Sequence, residues 1–208
     1  MPQPNEKRIY EGSEVRLAEN PIDGKPAIQI YGCAAPFNRL SRPMQDDNGE
    51  PFRETIMPGA FSKVLATNPD VCCRVNHEGG LCTIGRTTNG TLKLHEDAAG
   101  LQYECQPPDT QAGRDIVTLI RRGDIKHCSF AFRVADDGED WGDGEDMPLR
   151  TIREIGYLGD VSPADSPAYL DTHVAARSLT EWRKKQSEVK PTGETARATM
   201  RLRLAEID

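Results

Sequence analysis

Runs of alternating apolar and polar residues recur along this chain. Alternation of this kind places successive side chains on opposite faces of a β-strand. It predicts a series of strands, at residues 15–19, 26–35, 71–75, 91–95, 101–105 and 149–162. The turn-forming residues at 97–100 separate two of these strands, and we expect a hairpin there. The pattern is typical of a mainly-β protein.

Two segments have the helical period instead. Residues 58–65 begin with a proline, which is favoured in the first turn of a helix. Residues 110–122 have apolar side chains at helical spacing, which predicts a helix with one buried face. Asp109 or Thr110 is placed to cap its start, and Gly123 to end it. The fold class is therefore mainly β with a few helices.

Polar segments interrupt this pattern at both ends and at residues 37–52 and 135–147. Segments of this composition bury too little apolar area to offset their ordering entropy. We expect a flexible N-terminal lead at residues 1–11, loops at the two internal segments, and a charged, partly helical or disordered tail at residues 179–208. Residues 12–178 are predicted to form one compact, barrel-like domain.

Charge and length exclude several classes of protein. The chain has 208 residues and a formal net charge of −7, which argues against non-specific binding of nucleic acid. No apolar run approaches the roughly 20 residues that a membrane span needs. The first residues lack the apolar core of a signal peptide. The expected location is the cytoplasm, with neither nucleic acid nor a membrane as partner.

Six cysteines are spread along the chain without a Cys-x-x-Cys pair. Free cysteine behaves as a small hydrophobic residue, so buried, reduced thiols are the simplest interpretation. The alternative is a metal site formed by Cys72, His77 and Cys82. Nothing else in the sequence indicates a cofactor, and we expect none.

Ser129 lies in an alternating run that follows the second predicted helix. The alternation places its hydroxyl on the strand face opposite Phe130 and Phe132. A serine held in this way becomes a nucleophile when a base removes its proton during attack. His77 closes the strand at residues 71–75, and a neutral imidazole suits this task. Ser129 and His77 are therefore candidates for nucleophilic acyl transfer.

The other members of such a site are less well determined by the sequence. His127 lies two residues from Ser129 on the same strand face, roughly 6–7 Å away, which is beyond hydrogen-bond distance. We expect it to shape the pocket. A base also needs an orienting partner. Asp160 and Glu154 are six residues apart and share a strand face, so geometry leaves both open, together with Asp165, a histidine, or no third member.

A set of short motifs occurs in one order along the chain: Pro58-Gly59-Ala60-Phe61, Asn76-His77, Ile84-Gly85-Arg86-Thr87, Arg121-Arg122-Gly123-Asp124, Ser129-Phe130-Ala131-Phe132 and Asp160-Val161-Ser162-Pro163. With these motifs the chain resembles the tailed-phage prohead proteases, the serine peptidases of capsid maturation. The resemblance covers roughly residues 28–178.

The resemblance implies a herpesvirus-assemblin-like fold, a closed β-barrel decorated by helices. It implies Ser129 as nucleophile, His77 as general base and Asp160 as third catalytic residue. It further implies cleavage of major capsid protein and scaffold segments, and of the protease itself, inside the assembling prohead in the host cell, with a homo-oligomer as a possible state. The family usually has Gly, Asp and Glu where this chain has Ala131, Glu78 and Asp160.

The main alternative hypothesis is a non-catalytic virion scaffold or structural protein with the same fold. Covalent labelling by a serine-directed reagent separates this alternative from a peptidase.

Overall fold

A computed structural model of the chain describes residues 5–22, 25–46, 48–165, 179–184 and 186. Within these residues the strands form three sheets. The first sheet contains, from edge to edge, β1 (Glu6–Arg8), β10 (His127–Val134), β13 (Ile155–Ala164), β6 (Cys72–Arg74) and β7 (Thr83–Arg86). Its three middle strands position the candidate site.

The other two sheets and the helices surround this first sheet. The second sheet contains, in order, β2 (Arg16–Ile22), β3 (Lys25–Pro36), β9 (Gly100–Cys105) and β8 (Leu92–Glu96). The third contains β11 (Glu139–Asp143), β12 (Pro148–Ile152), β5 (Pro51–Ile56) and β4 (Met44–Gln45). Between residues 48 and 165 the α-helices are α1 (Ser62–Ala66) and α2 (Gln111–Arg122).

The mainly-β prediction is confirmed, but the predicted closed barrel is wrong for the described part of the chain. There, β1 and β7 are open edges of the first sheet. A closed barrel would need these two edge strands to pair, and they do not. After β7, a 3₁₀ turn over Thr87–Asn89 and the left-handed Gly90, with φ of 76°, lead the chain into β8 of the second sheet.

The predicted hairpin and the longer predicted helix are both formed. Asp97 Oδ1 accepts hydrogen bonds from the backbone N–H groups of Ala99 and Gly100, which closes the turn between β8 and β9. Helix α2 is capped by Thr110 rather than Asp109, and it ends at Gly123 with φ of 83°. These elements are stabilised by local interactions, which is why the sequence predicts them.

Aromatic rings fill the core behind β10. Phe130 and Phe132 are fully buried and stack with their ring centroids 4.7 Å apart. Phe61, just before α1, packs edge-on against Phe130 at 5.8 Å, and Tyr10 stacks with Phe130 at 6.3 Å. The face of β10 opposite Ser129 is therefore anchored in the core, as the alternation predicts.

The predicted flexible lead is wrong for residues 6–10. Strand β1 pairs antiparallel with β10, and Tyr10 is buried. Polar side chains of this segment are buried because they pair with opposite charges: Arg8 contacts Glu6 and Glu54 at 2.6 Å each. The prediction from composition misses such pairing, because it assumes that every charged side chain is exposed to water.

The predicted loops at residues 37–52 and 135–147 also need correction. In the first of these segments, strands β4 and β5 pair with each other and bury Met44 and Phe52. In the second, residues 139–143 form strand β11, which pairs with β12. The ring of Trp141 in β11 lies 5.3 Å from Phe52. Isolated aromatic and apolar residues between polar ones thus build a second, smaller hydrophobic cluster.

The predicted domain boundary at residue 178 does not separate residues 179–184 from the body of the protein. This segment is helical; Leu179 is buried with Met44 and Phe52, and Trp182 lies 6.5 Å from Trp141. The rest of the predicted tail, residues 187–208, lies outside the described residues. In the described part of the chain, no helix has the length and apolar character to cross a membrane.

Candidate active site

Strands β10 and β13 bring two serines and a carboxylate onto one face of the first sheet. They pair antiparallel, with Ser129 opposite Ser162 and Ala131 opposite Asp160. Side chains two residues apart on a strand point to the same face, so Asp160 and Ser162 face the site together with Ser129. All three residues are almost completely buried.

A tight turn after β6 carries the histidine. Asn76 and His77 both have a positive φ, 51° and 61°, and the N–H of Glu78 donates to the carbonyl of Val75 at 2.9 Å. This is the pattern of a type I′ turn. The N–H of Asn76 also donates to the carbonyl of Pro163, which ties the turn to β13. The rare left-handed backbone of His77 directs its imidazole over the neighbouring strand.

The imidazole of His77 connects the serine to the carboxylate. Its Nε2 lies 2.6 Å from Ser129 Oγ, and its Nδ1 lies 2.6 Å from Asp160 Oδ1. An ionised carboxylate only accepts hydrogen bonds, so Nδ1 carries the proton and Nε2 is left as the acceptor for the Ser129 hydroxyl. Only 3% of the His77 side chain and 6% of the Asp160 side chain are exposed.

This arrangement can carry out acyl transfer. The serine hydroxyl, the base and the orienting carboxylate stand in one hydrogen-bonded line that is shielded from bulk water. Shielding strengthens each interaction in the line, because water no longer competes for the donors and acceptors.

Comparison with known proteins identifies the family of the chain. Residues 14–185 match the caudovirus prohead serine protease family. The chain belongs to this family. Its fold is also similar to the solved structure of the bacteriophage T4 capsid assembly protease gp21, with a TM-score of 0.52 and 14% sequence identity over 80% of this chain and 100% of that chain. A search of curated proteins finds no match.

The structure brings together the three residues that the prohead protease resemblance implies, namely Ser129, His77 and Asp160. The alternative Glu154 instead pairs with Lys63 at 2.5 Å, with that lysine side chain largely exposed. His127 lies on β10 opposite Ala164. The geometry therefore favours Asp160 over Glu154 as the partner of His77.

The cysteine next to Ser129 is a buried thiol. Burial raises the pKa of the Cys128 thiol, next to Ser129 in sequence, to about 12, so it stays protonated and unreactive. All six cysteines are unpaired. Across the described residues no three potential metal ligands come together, and the alternative site of Cys72, His77 and Cys82 is not formed.

Two further groups reach the triad and were missed by the sequence analysis. Ser162 Oγ lies 2.8 Å from Asp160 Oδ1 and 3.1 Å from His77 Nδ1. The backbone carbonyl of Arg8, in β1, lies 2.9 Å from Ser129 Oγ and is a second acceptor for its single proton. The two-residue spacing from Asp160 was a signal for Ser162, whereas no sequence signal indicates a backbone carbonyl 121 residues away.

Proposed function

We propose that this chain is a serine endopeptidase that cleaves scaffold and major capsid protein segments, and itself, during maturation of a phage prohead. The observation that carries the proposal is the double contact of the His77 imidazole, at 2.6 Å from both Ser129 Oγ and Asp160 Oδ1. Membership of the prohead serine protease family supports the substrate class. The similar fold of the T4 capsid assembly protease gp21 agrees with it.

The mechanism follows from the positions of the protons. Ser129 Oγ attacks the carbonyl carbon of the scissile peptide, and His77 Nε2 takes the hydroxyl proton as the new C–O bond forms. Asp160 stabilises the resulting imidazolium through its hydrogen bond to Nδ1. The tetrahedral intermediate then breaks its C–N bond, and Nε2 gives the proton to the leaving amine.

The second half of the reaction regenerates the enzyme. A water molecule gives its proton to Nε2 of His77 and attacks the ester carbonyl of the acyl-enzyme. The C–O bond to Ser129 breaks, and its oxygen recovers the proton. The products are a new carboxyl terminus and a new amino terminus, which mass analysis detects directly.

Co-expression with the major capsid protein of the same phage tests the proposal. The wild-type chain should produce defined fragments of the capsid protein, and Ser129→Ala should produce none, since the loss of a triad member costs several orders of magnitude in rate. The substitution removes one oxygen, so the variant should remain folded. Capsid protein cleaved equally by folded Ser129→Ala would refute the proposal.

Two histidine variants provide the matched comparison. His77→Ala should be almost inactive, because His77 Nε2 contacts the Ser129 hydroxyl. His127→Ala should retain most of its activity, because no described hydrogen bond joins His127 to Ser129. A serine-directed phosphonate should form an Oγ–P bond at Ser129 of the wild type with loss of its leaving group, and should add the mass of the phosphonyl group that remains. A folded wild type that neither cleaves nor reacts with the phosphonate would favour the non-catalytic scaffold.

A further inference from the structure

Ser162 makes two contacts at the centre of the triad. Its hydroxyl oxygen lies 2.8 Å from Asp160 Oδ1 and 3.1 Å from His77 Nδ1, and the residue is fully buried. The same Asp160 oxygen is the partner of His77 Nδ1 at 2.6 Å. Three polar groups therefore form a closed triangle on the side of the imidazole away from the nucleophile.

The number of protons determines the direction of each hydrogen bond. His77 Nδ1 carries a proton when Nε2 accepts from Ser129, so Nδ1 has no lone pair to accept a second bond. The Ser162 hydroxyl therefore donates to Asp160 Oδ1, the shorter of its two contacts. Its lone pairs then face the Nδ1 proton at 3.1 Å.

The strand backbone holds Ser162 rigidly. The residue lies in β13, opposite Ser129 in β10, and both partners are fully buried. A serine side chain has a single rotatable bond to its oxygen, and neighbouring strands on both sides limit it further. Ser162 thus supplies a fixed donor, whose position does not depend on a loop.

This fixed donor restrains the carboxylate of Asp160. Its Oδ1 is held by His77 and Ser162, while its Oδ2 faces the guanidinium of Arg74 at 3.8 Å. A carboxylate engaged only by the imidazole can rotate about its χ2 bond and loosen the contact with Nδ1. The bond from Ser162 opposes that rotation and keeps Oδ1 aligned with the Nδ1 proton.

We propose that Ser162 is a positioning residue of the peptidase site, whose hydroxyl fixes the Asp160 carboxylate and, through it, the tautomer and orientation of His77. The inference rests on the proposed peptidase function for its catalytic consequence. It adds a fourth side chain to the triad, one whose hydroxyl contacts Asp160 Oδ1 and His77 Nδ1, on the side of the imidazole away from the nucleophile.

The kinetic test uses Ser162→Ala in the full chain. A hydrogen bond to a charged group stabilises by an amount equivalent to about tenfold in rate. We therefore expect kcat for the cleaved capsid segment to fall about tenfold with KM unchanged, because the lost interaction aligns the base and does not bind substrate. Ser162→Thr keeps the hydroxyl and should restore most of kcat.

A matched control separates positioning from general stability. Ser41 is also buried, and its hydroxyl accepts a hydrogen bond from the backbone N–H of Glu54 at 2.9 Å, in the third sheet. Ser41→Ala should lower the melting temperature without changing kcat. If Ser162→Ala likewise changes only the melting temperature, the positioning role is refuted.

A spectroscopic test does not depend on activity. In the inactive Ser129→Ala background, the Nδ1 proton of His77 should give a downfield NMR resonance typical of a short bond to a carboxylate. Adding Ser162→Ala should shift or broaden this resonance, because the carboxylate is no longer restrained. An unchanged resonance would overturn the inference, whether or not Ser162→Thr folds.

These two tests also separate this inference from the proposed function. A wild type without peptidase activity would contradict the proposed function, and the resonance would still decide the role of Ser162. An active wild type whose kcat and resonance are both unaffected by Ser162→Ala would leave the peptidase intact and refute the positioning role alone.

Discussion

The hydroxyl of Ser129 has one proton and two acceptors within reach, Nε2 of His77 at 2.6 Å and the carbonyl of Arg8 at 2.9 Å. When the imidazole is neutral, donation to Nε2 prepares the serine for attack. When the imidazole is protonated, Nε2 becomes a donor to Oγ, and the hydroxyl proton turns to the Arg8 carbonyl. The Arg8 carbonyl thus keeps the buried hydroxyl paired in either state.

The role of Asp160 can be tested with an isosteric change. Asp160→Asn keeps the size of the side chain but presents an amide in place of a carboxylate, which favours the wrong tautomer of His77. We expect the rate to fall roughly 10²–10⁴-fold, as such changes do in serine proteases. The measurement is the rate of capsid protein cleavage by the purified variant.

Glu154→Gln is the matched control for Asp160→Asn. Glu154 pairs with Lys63 at the surface, so its neutral variant should cleave within about twofold of the wild-type rate. Near-normal cleavage by Asp160→Asn together with a large loss in Glu154→Gln would assign the orienting role to Glu154. Asp160→Glu keeps the carboxylate that accepts from His77 Nδ1, and we expect it to retain more activity than Asp160→Asn.

At the scale of the element, strand β1 is held by a buried charge network. Glu6, Arg8, Glu54 and Arg150 are all at most 1% exposed. Burial opposes the charged form of Glu54, but Arg8 and Arg150 outweigh it and hold the pKa of this carboxyl below its ordinary value. The network joins the first sheet to the third and keeps β1 beside Ser129.

Removing one charge from this network should be costly. Glu54→Gln leaves two buried guanidinium groups with one partner fewer, and we expect it to lower the free energy of unfolding by about 3 kcal/mol or more. Urea denaturation measures the change. Glu14→Gln is the control, since its ion pair with Arg16 is exposed and its loss should cost at most about 1 kcal/mol.

The same network predicts a dependence of stability on pH. Because the pKa of Glu54 is lower in the folded state, its contribution is fully present above the unfolded value of about 4.3 and is lost as pH falls through the folded value. The difference in stability between wild type and Glu54→Gln should therefore shrink below about pH 4.3. A difference that is constant between pH 3 and 7 would contradict this assignment.

Locally stabilised elements could be predicted, whereas those stabilised by distant partners could not. The cap of α2 by Thr110 and the turn at Asp97 depend on neighbouring residues and are visible in the sequence. Strand β1 is short and polar, and only Glu54 and Arg150 from the third sheet explain its burial. No local pattern carries that information.

The same distinction applies to the site. Ser129 and His77 follow from strand alternation and from the chemistry of their side chains, but the choice of Asp160 over Glu154 required the resemblance to the family. Alternation along a strand shows which side chains share a face, so it could not choose between Asp160 and Glu154. It does not show which residue of the neighbouring strand lies opposite each of them. The pairing of Ala131 with Asp160 in the structure supplies that register.

At the scale of the whole molecule, residues 179–184 are part of the folded body. We expect a chain that ends after residue 178 to melt about 5 °C or more below the full chain, because it exposes the apolar surface that Leu179 and Trp182 cover. A chain that ends after residue 186 keeps both contacts. Thermal melting of the two truncated chains checks this.

The chain that ends after residue 186 also tests the role of residues 187–208. We predict that a chain ending after residue 186 folds and retains peptidase activity in trans but enters proheads poorly. Loss of folding in this chain would place part of the removed segment in the core. Equal melting temperatures for the chains ending at 178 and 186 would contradict the packing of Leu179.

The order of the strands in the first sheet has a consequence for synthesis of the protein. Strand β13 lies between β10, which carries Ser129, and β6, which leads to His77. A nascent chain on the ribosome contains both residues well before Ile155–Ala164 has been translated, and until then the two strands have no common neighbour. Vectorial synthesis therefore delays assembly of the site until almost all of the described chain has been made, so the proposed peptidase has no complete site during most of its own synthesis.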